Sequence, residues 1–224
     1  MISVDINGDT FKIHDELHHE FWDGKKLNPR VREALLKIAE EFAKYINSEA
    51  DIKDVTFTGS MANYNYTPMS DIDLHIILDY ADVDDNQELV AKMLRAKKAL
   101  FNKNHDIKIY NYDVELYPQD AKEPHYSTGV YSVTNDEWIA EPVQQEIHVD
   151  DDQIIRKGKG IVEKAIETIA LKSENPEEKI NALEKIKEKI MKMRKSGLER
   201  AGQYSLENLT FKYLRNLGIL GKIF

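Results

Sequence analysis

The chain has 224 residues, 42% hydrophobic and 32% charged, which is ordinary for a globular protein and enough for one large domain or two small ones. It contains no Cys, so disulfides and Cys-ligated zinc are excluded and a reducing compartment is compatible. Its 31 Lys and Arg against 40 Asp and Glu give a net charge of −9, which argues against a basic surface that coats duplex DNA but leaves room for a local basic groove.

The opening residues lack the basic and then apolar order of a secretory signal, and no run reaches membrane-spanning length, so the expected location is the cytoplasm without a membrane partner. Ile2-Ser3-Val4-Asp5-Ile6 alternates, and Asn7-Gly8-Asp9 would turn it onto Thr10-Phe11-Lys12-Ile13 as a small hairpin. His14 and His18 have the i, i+4 spacing of a helical metal pair, but no full ligand set follows, so no metal is assigned there. Asn28-Pro29 starts a helix, with a cap residue and then Pro at the first position. Val31, Leu35, Ile38, Phe42, Tyr45 and Ile46 then recur at helical spacing and are expected to pack on a sheet.

The stretch Val55 to Leu78 carries most of the chemistry. Val55-Thr56-Phe57-Thr58 is rich in β-branched and aromatic residues and reads as a short strand, and Gly59 permits a turn that a side chain would obstruct. Ser60 follows, offering a hydroxyl and backbone N–H groups suited to a phosphate. In an extended Asp71-Ile72-Asp73-Leu74-His75-Ile76 the two carboxylates share one face, with Cα atoms about 6 to 7 Å apart, while Ile72, Leu74 and Ile76 take the other. Two like charges so close are tolerated best around a divalent cation.

An acidic loop over 79–85 leads to a helix from Gln87 to Asn102, with Leu89, Val90, Met93, Leu94 and Leu100 inward. Its outward Lys92, Arg95, Lys97 and Lys98 read as a wetted face. Ile107 to Pro118 reads as one strand that Pro118 ends or places at a sheet edge, with Asp113 and Glu115 on one face. The helix between them is the crossover that lets the Asp71-Asp73 strand and this one become neighbours. Residues 119–142 read as polar loop, in which Tyr131 and Trp138 either stack on a base or close a core edge. From Asp150 onward the pattern is helical. Ile154, Ile155, Ile161, Val162, Ala165, Ile166 and Ile169 mark one helix, weakened by Gly158 and Gly160. Asn175-Pro176 starts a second, with Ile180, Leu183, Ile186, Ile190 and Met193, ended at Ser196-Gly197. Ser205 caps a short last helix that stops at Gly218. Lys185, Lys189 and Lys192 line one side of the second helix, as a solvated stripe or as a hold for phosphate.

Gly59-Ser60, followed after about ten positions by Asp71-Ile72-Asp73 in an apolar strand, resembles the signature of the DNA polymerase β superfamily of nucleotidyltransferases. The resemblance covers roughly residues 30 to 118 and implies an α+β (α/β) fold, a mixed sheet with flanking helices plus a C-terminal helical bundle. The expected division is a catalytic lobe over 1–145, with its N-terminal hairpin and helix, and a helical lobe over 146–224. The family also implies a third carboxylate on a later strand, and Val114-Glu115-Leu116-Tyr117-Pro118 fits its frame. Relatives usually carry Asp there, so Glu115 is favoured and Asp113 stays open. Asn63 stands where many relatives place an Arg near the triphosphate. Ser127 to Ser132 and Asn208 to Lys212 are similar to an uncharacterised phage and bacterial set of nucleotidyltransferase-like proteins.

What the resemblance implies is transfer of a nucleoside monophosphate from a nucleoside triphosphate such as ATP to an acceptor hydroxyl, with release of pyrophosphate. Asp71, Asp73 and Glu115 would be the catalytic and metal-binding residues for Mg²⁺ or Mn²⁺, since all three offer hard oxygens. Gly59, Ser60 and Asn63 would bind the nucleotide. The acceptor is open among an RNA end, a protein, a small molecule and a second nucleotide. The alternative expectation is a catalytically inactive nucleotide-binding or interaction module of the same fold.

Overall fold

A computed structural model describes residues 13–46, 51–144, 150–171 and 176–223. The hairpin expected over residues 2–13 lies, but for Ile13, outside the described residues, as do Asn175 and the side chain of Ile169. The chain divides near residue 145 into two compact units, one of strands and helices and one of helices.

In the first unit, β1 (Trp22–Asp23) and β2 (Lys26–Leu27) form a two-stranded hairpin ahead of α1 (Pro29–Ile46). Asn28 caps α1, its Oδ1 accepting from Arg30 N at 3.0 Å, and Val31, Leu35, Ala39, Phe42 and Ile46 form the buried stripe. The sheet follows with β3 (Ile52–Thr58), β4 (Ile72–Leu78), β5 (Lys108–Ile109), β6 (Tyr112–Asp120), β7 (Val130–Ser132) and β8 (Glu137–Ala140). Its order is β5-β6-β4-β3-β7-β8. β4 and β6 are parallel and every other neighbouring pair is antiparallel, a mixed α/β sheet with flanking helices.

The parallel pair depends on α2 (Gln87–Asn104), capped by Asn86 and lying between β4 and β6 in sequence. Val90, Leu94 and Phe101 are its buried residues. Leu89, Met93 and Leu100, expected inward, are exposed instead. At about 100° per residue they sit one step around the helix from the buried stripe, whose Phe101 packs edge-on against Phe42 of α1.

Two further corrections concern the later strands. The single strand expected over 107–118 is a hairpin, because Tyr110 adopts φ 54° and turns the chain between β5 and β6. Pro118 lies inside β6, which has β4 on one side, and β5 reaches only as far as Asp113 on the other, so among the described residues no strand pairs with Pro118 on that side. The polar stretch 119–142 supplies β7 and β8. Trp138 stacks on Trp22 at 4.7 Å between centroids and meets Tyr131 edge-on at 5.0 Å, which closes the core edge.

The helical unit holds α3 (Asp151–Leu171), α4 (Pro176–Ala201), α5 (Leu206–Asn216) and the short α6 (Leu220–Ile223). Ile154, Ile190, Leu209, Phe211, Tyr213, Leu214 and Leu220 form its core. Ser205 caps α5 as expected, accepting from Asn208 N. α4 runs past Ser196-Gly197 to Ala201, because Gly197 serves close packing: a Cβ there would lie 2.6 Å from Glu207 Cβ. Gly158 likewise abuts the Tyr213 ring, where an added Cβ would come within 2.6 Å of Cε1. Among the described residues no helix is long and apolar enough to cross a membrane.

Candidate active site

Strand parity places the carboxylates. Ile72, Leu74 and Ile76 are fully buried on one side of β4, so Asp71, Asp73 and His75 project from the other and are partly exposed. A slip of one residue would expose those three side chains, a loss on the order of 5 to 9 kcal/mol at roughly 1.5 to 3 each. The apolar face therefore holds the register of the acidic face.

Gly59 and Ser60 sit at the end of β3, where Thr58 pairs with Asp73. Gly59 has φ 80° and opens a 3₁₀ turn over Ser60–Ala62. A Cβ on Gly59 would fall 1.9 Å from Asp73 Oδ2, so the glycine backbone lies directly against that carboxylate. The Ser60 and Ser70 hydroxyls are hydrogen bonded at 2.8 Å, which ties the turn to the residue preceding Asp71. Ser70 Oγ in turn accepts from Thr67 N at 2.9 Å.

Ser127, Thr128 and Gly129 close the other side of the turn. Gly59 N donates to Ser127 Oγ at 3.4 Å, and Ser127 Oγ donates to Gly129 O at 2.9 Å. Asn63 is 1% exposed and turned inward: its Nδ2 donates to Thr128 Oγ1 at 2.7 Å while its Oδ1 accepts from Tyr64 N. A Cβ on Gly129 would lie 2.0 Å from Ala62 O, so this second glycine is also a point of close approach. The stretch Ser127 to Ser132, singled out in the sequence only by likeness, thus packs on the Gly59 turn.

On the neighbouring strand, Glu115 stands directly beside Asp73 in the parallel register, about 4.8 Å away between strands. Asp113 lies opposite Lys108 in the β5–β6 hairpin and is ion-paired with it. Glu115 Oε1 accepts from Lys98 Nζ at 2.7 Å, and the same ammonium lies 5.0 Å from the centre of the Tyr117 ring. Lys98, read from the sequence as wetted, is only 20% exposed along its side chain. A helix face alone does not announce that contact, because it depends on where the crossover lays α2 beside β6.

His75 is a second residue the sequence reading passed over, although its parity with Asp73 marks it. Gln119 Nε2 donates to Glu123 O at 3.0 Å, which turns Gln119 Oε1 toward His75 Nδ1 at 2.6 Å. That amide orientation places the proton on Nδ1. Burial is the main cause holding the His75 pKa below its ordinary value, with Lys98 and His125 acting the same way, while the Gln119 hydrogen bond and Glu115 oppose the shift.

The donor chemistry fits a hard divalent cation, since Asp71, Asp73 and Glu115 are all carboxylates and two of them stand in register on adjacent strands. Their side chains are not gathered into a ready set, for among the described residues no group of three or more His, Asp or Glu is arranged to hold a metal ion. His14 and His18 are not on a helix: His14 stacks on Tyr66 at 3.8 Å and His18 is hydrogen bonded to the Tyr112 hydroxyl at 2.9 Å.

No curated protein and no solved structure matches the chain. Residues 37–195 match the family model of the nucleotidyltransferase domain, well over half of the chain and extending past the sheet into α4. The glycine-serine turn beside Asp73, the mixed sheet and that match together make the chain a member of the nucleotidyltransferase family, within the polymerase β-like superfamily.

Proposed function

We propose that the protein is a metal-dependent nucleotidyltransferase that moves a nucleoside monophosphate from a nucleoside triphosphate to an acceptor hydroxyl. The observation that carries the reading is the Asp73 carboxylate, held against the Gly59 backbone on one side and in register with Glu115 on the other. Family membership supports nucleotidyl transfer in general, and the family is typically dependent on a divalent metal.

In this reading Asp71, Asp73 and Glu115 hold Mg²⁺ or Mn²⁺. Bound there, the ion supplies positive charge against the phosphate oxygens. Gly59 and Ser60 would hold the triphosphate beside the Asp73 carboxylate, and Asn63 acts through Thr128, whose segment it fastens to the turn. The acceptor oxygen bonds to the α-phosphorus as the bond to the β-phosphate oxygen breaks. The electron pair leaves with pyrophosphate, and the acceptor proton passes to solvent.

The test uses each of the four α-labelled nucleoside triphosphates with Mn²⁺, with and without cell RNA as acceptor. Asp71→Asn with Asp73→Asn is expected to abolish label transfer and leave the melting temperature near that of the parent. Transfer retained in the double variant would remove the assignment.

The Lys98–Glu115 ion pair favours a second reading, a nucleotide-binding module of the same fold without turnover. It predicts saturable nucleotide binding with no labelled product under any acceptor.

A further inference from the structure

Three residues at the outer edge of the acidic face form an arrangement that family membership alone does not assign. Glu115 and Tyr117 project from the same side of β6, one strand period apart, and Lys98 reaches both from α2. One turn further along α2, Asn102 Nδ2 approaches Leu116 O at 3.4 Å, and Phe101 is buried, so the helix is anchored to β6 just beyond Lys98. The lysine is therefore presented to Glu115 by packed structure. On the other side of Glu115, in register, is Asp73.

We propose that Lys98 is a positioning residue of the candidate site, whose ammonium competes with a divalent cation for the Glu115 carboxylate. The inference rests on the reading of Asp71, Asp73 and Glu115 as cation ligands given above. A cation at Glu115 Oε1 would lie close to the Lys98 ammonium, and repulsion between the two like charges sets them in competition for that oxygen. The Tyr117 ring gives Lys98 a second favourable partner, so it can leave Glu115 without being stranded. Charged and titratable neighbours on this face are Glu115 and Tyr117 from β6, Asp73 and His75 from β4, Arg95 from α2, and Glu123 and His125 from the following loop.

An ion pair with side chains 20% and 47% exposed is a weak one, and removing the ammonium also relieves its repulsion of the incoming ion. Lys98→Met is therefore expected to bind Mn²⁺ roughly two- to tenfold more tightly than the parent.

Free Mn²⁺ in titrations of the full chain, followed by its electron paramagnetic resonance signal at low ionic strength, reads this directly. Lys98→Gln, which keeps a polar head, serves as the second variant, and thermal melts check that both fold. Support is tighter Mn²⁺ binding in both variants, lost again when Glu115→Gln is added. Equal affinity in parent and variants overturns the competition while leaving the site reading intact. No Mn²⁺ binding by any of them, with or without nucleotide, overturns both.

Discussion

Gly59 carries two constraints at once, one on the backbone and one on the space beside it. Its φ of 80° is disfavoured for every residue with a Cβ, and the space a Cβ would need belongs to Asp73 Oδ2. Gly59→Ala must strain the turn and push the Asp73 carboxylate aside together. The expected outcome is a stability loss of about 1 to 3 kcal/mol and at least a tenfold fall in nucleotidyl transfer. A thermal melt and the labelled-nucleotide assay check the two halves separately, and an unchanged melt would show that the turn accommodates a methyl group. Asn63 works differently: fully buried, it braces the turn against Thr128, so it stabilises the site from behind.

At the scale of elements, the helical unit is fastened where α5 meets α3 and α4. Glu207, near the start of α5, accepts from Lys157 of α3 and Arg200 of α4, at 2.8 and 2.7 Å, and its carboxylate is 15% exposed. The Lys157 hydrogen bond is the largest cause holding its pKa down at about 2, below the ordinary value of 4.5. A carboxylate whose folded pKa is depressed contributes stability that is present above its unfolded pKa and is lost as pH falls toward the folded one. That contribution, at most roughly 3 kcal/mol, is therefore full at neutral pH and disappears between pH 4.5 and about 2. Glu207→Gln should lower the melting temperature at pH 7, and its deficit relative to the parent should shrink across that window. Far-ultraviolet circular dichroism follows it, and a deficit that stays constant down to pH 2 would refute the ion-pair origin. The adjoining Gly197 lets α4 approach Glu207 and Ser205 within van der Waals contact, which is why a residue that reads as a helix stop lies inside a helix.

Across the whole molecule, charge sets what the protein does not hold strongly. With a net charge of −9, little counterion release is available along a duplex, so binding to long duplex DNA at physiological salt should be weaker than about 10⁻⁴ M. Fluorescence anisotropy with a labelled duplex measures it, and micromolar binding would reveal a basic groove that the summed charge conceals.

How much could be read without coordinates follows from the range of the interactions involved. Periodicity and caps act over a few residues. They located α1, α2 and α4 at their starts, the Asp71-Asp73 face of β4 and the serine cap of α5. The glycine-serine corner and the acidic strand, being local patterns, also pointed to the family. Tertiary structure alone decided that β7 and β8 extend the sheet, that Tyr110 turns the 107–118 stretch back on itself, and that Leu89, Met93 and Leu100 face outward. It also decided that Glu115 stands beside Asp73 while Asp113 pairs with Lys108, and that Lys98 reaches Glu115. Each of these depends on which strand lies next to which and on how a crossover helix is laid against them. Such choices are made by burial between segments distant in sequence, and no short window of residues contains them.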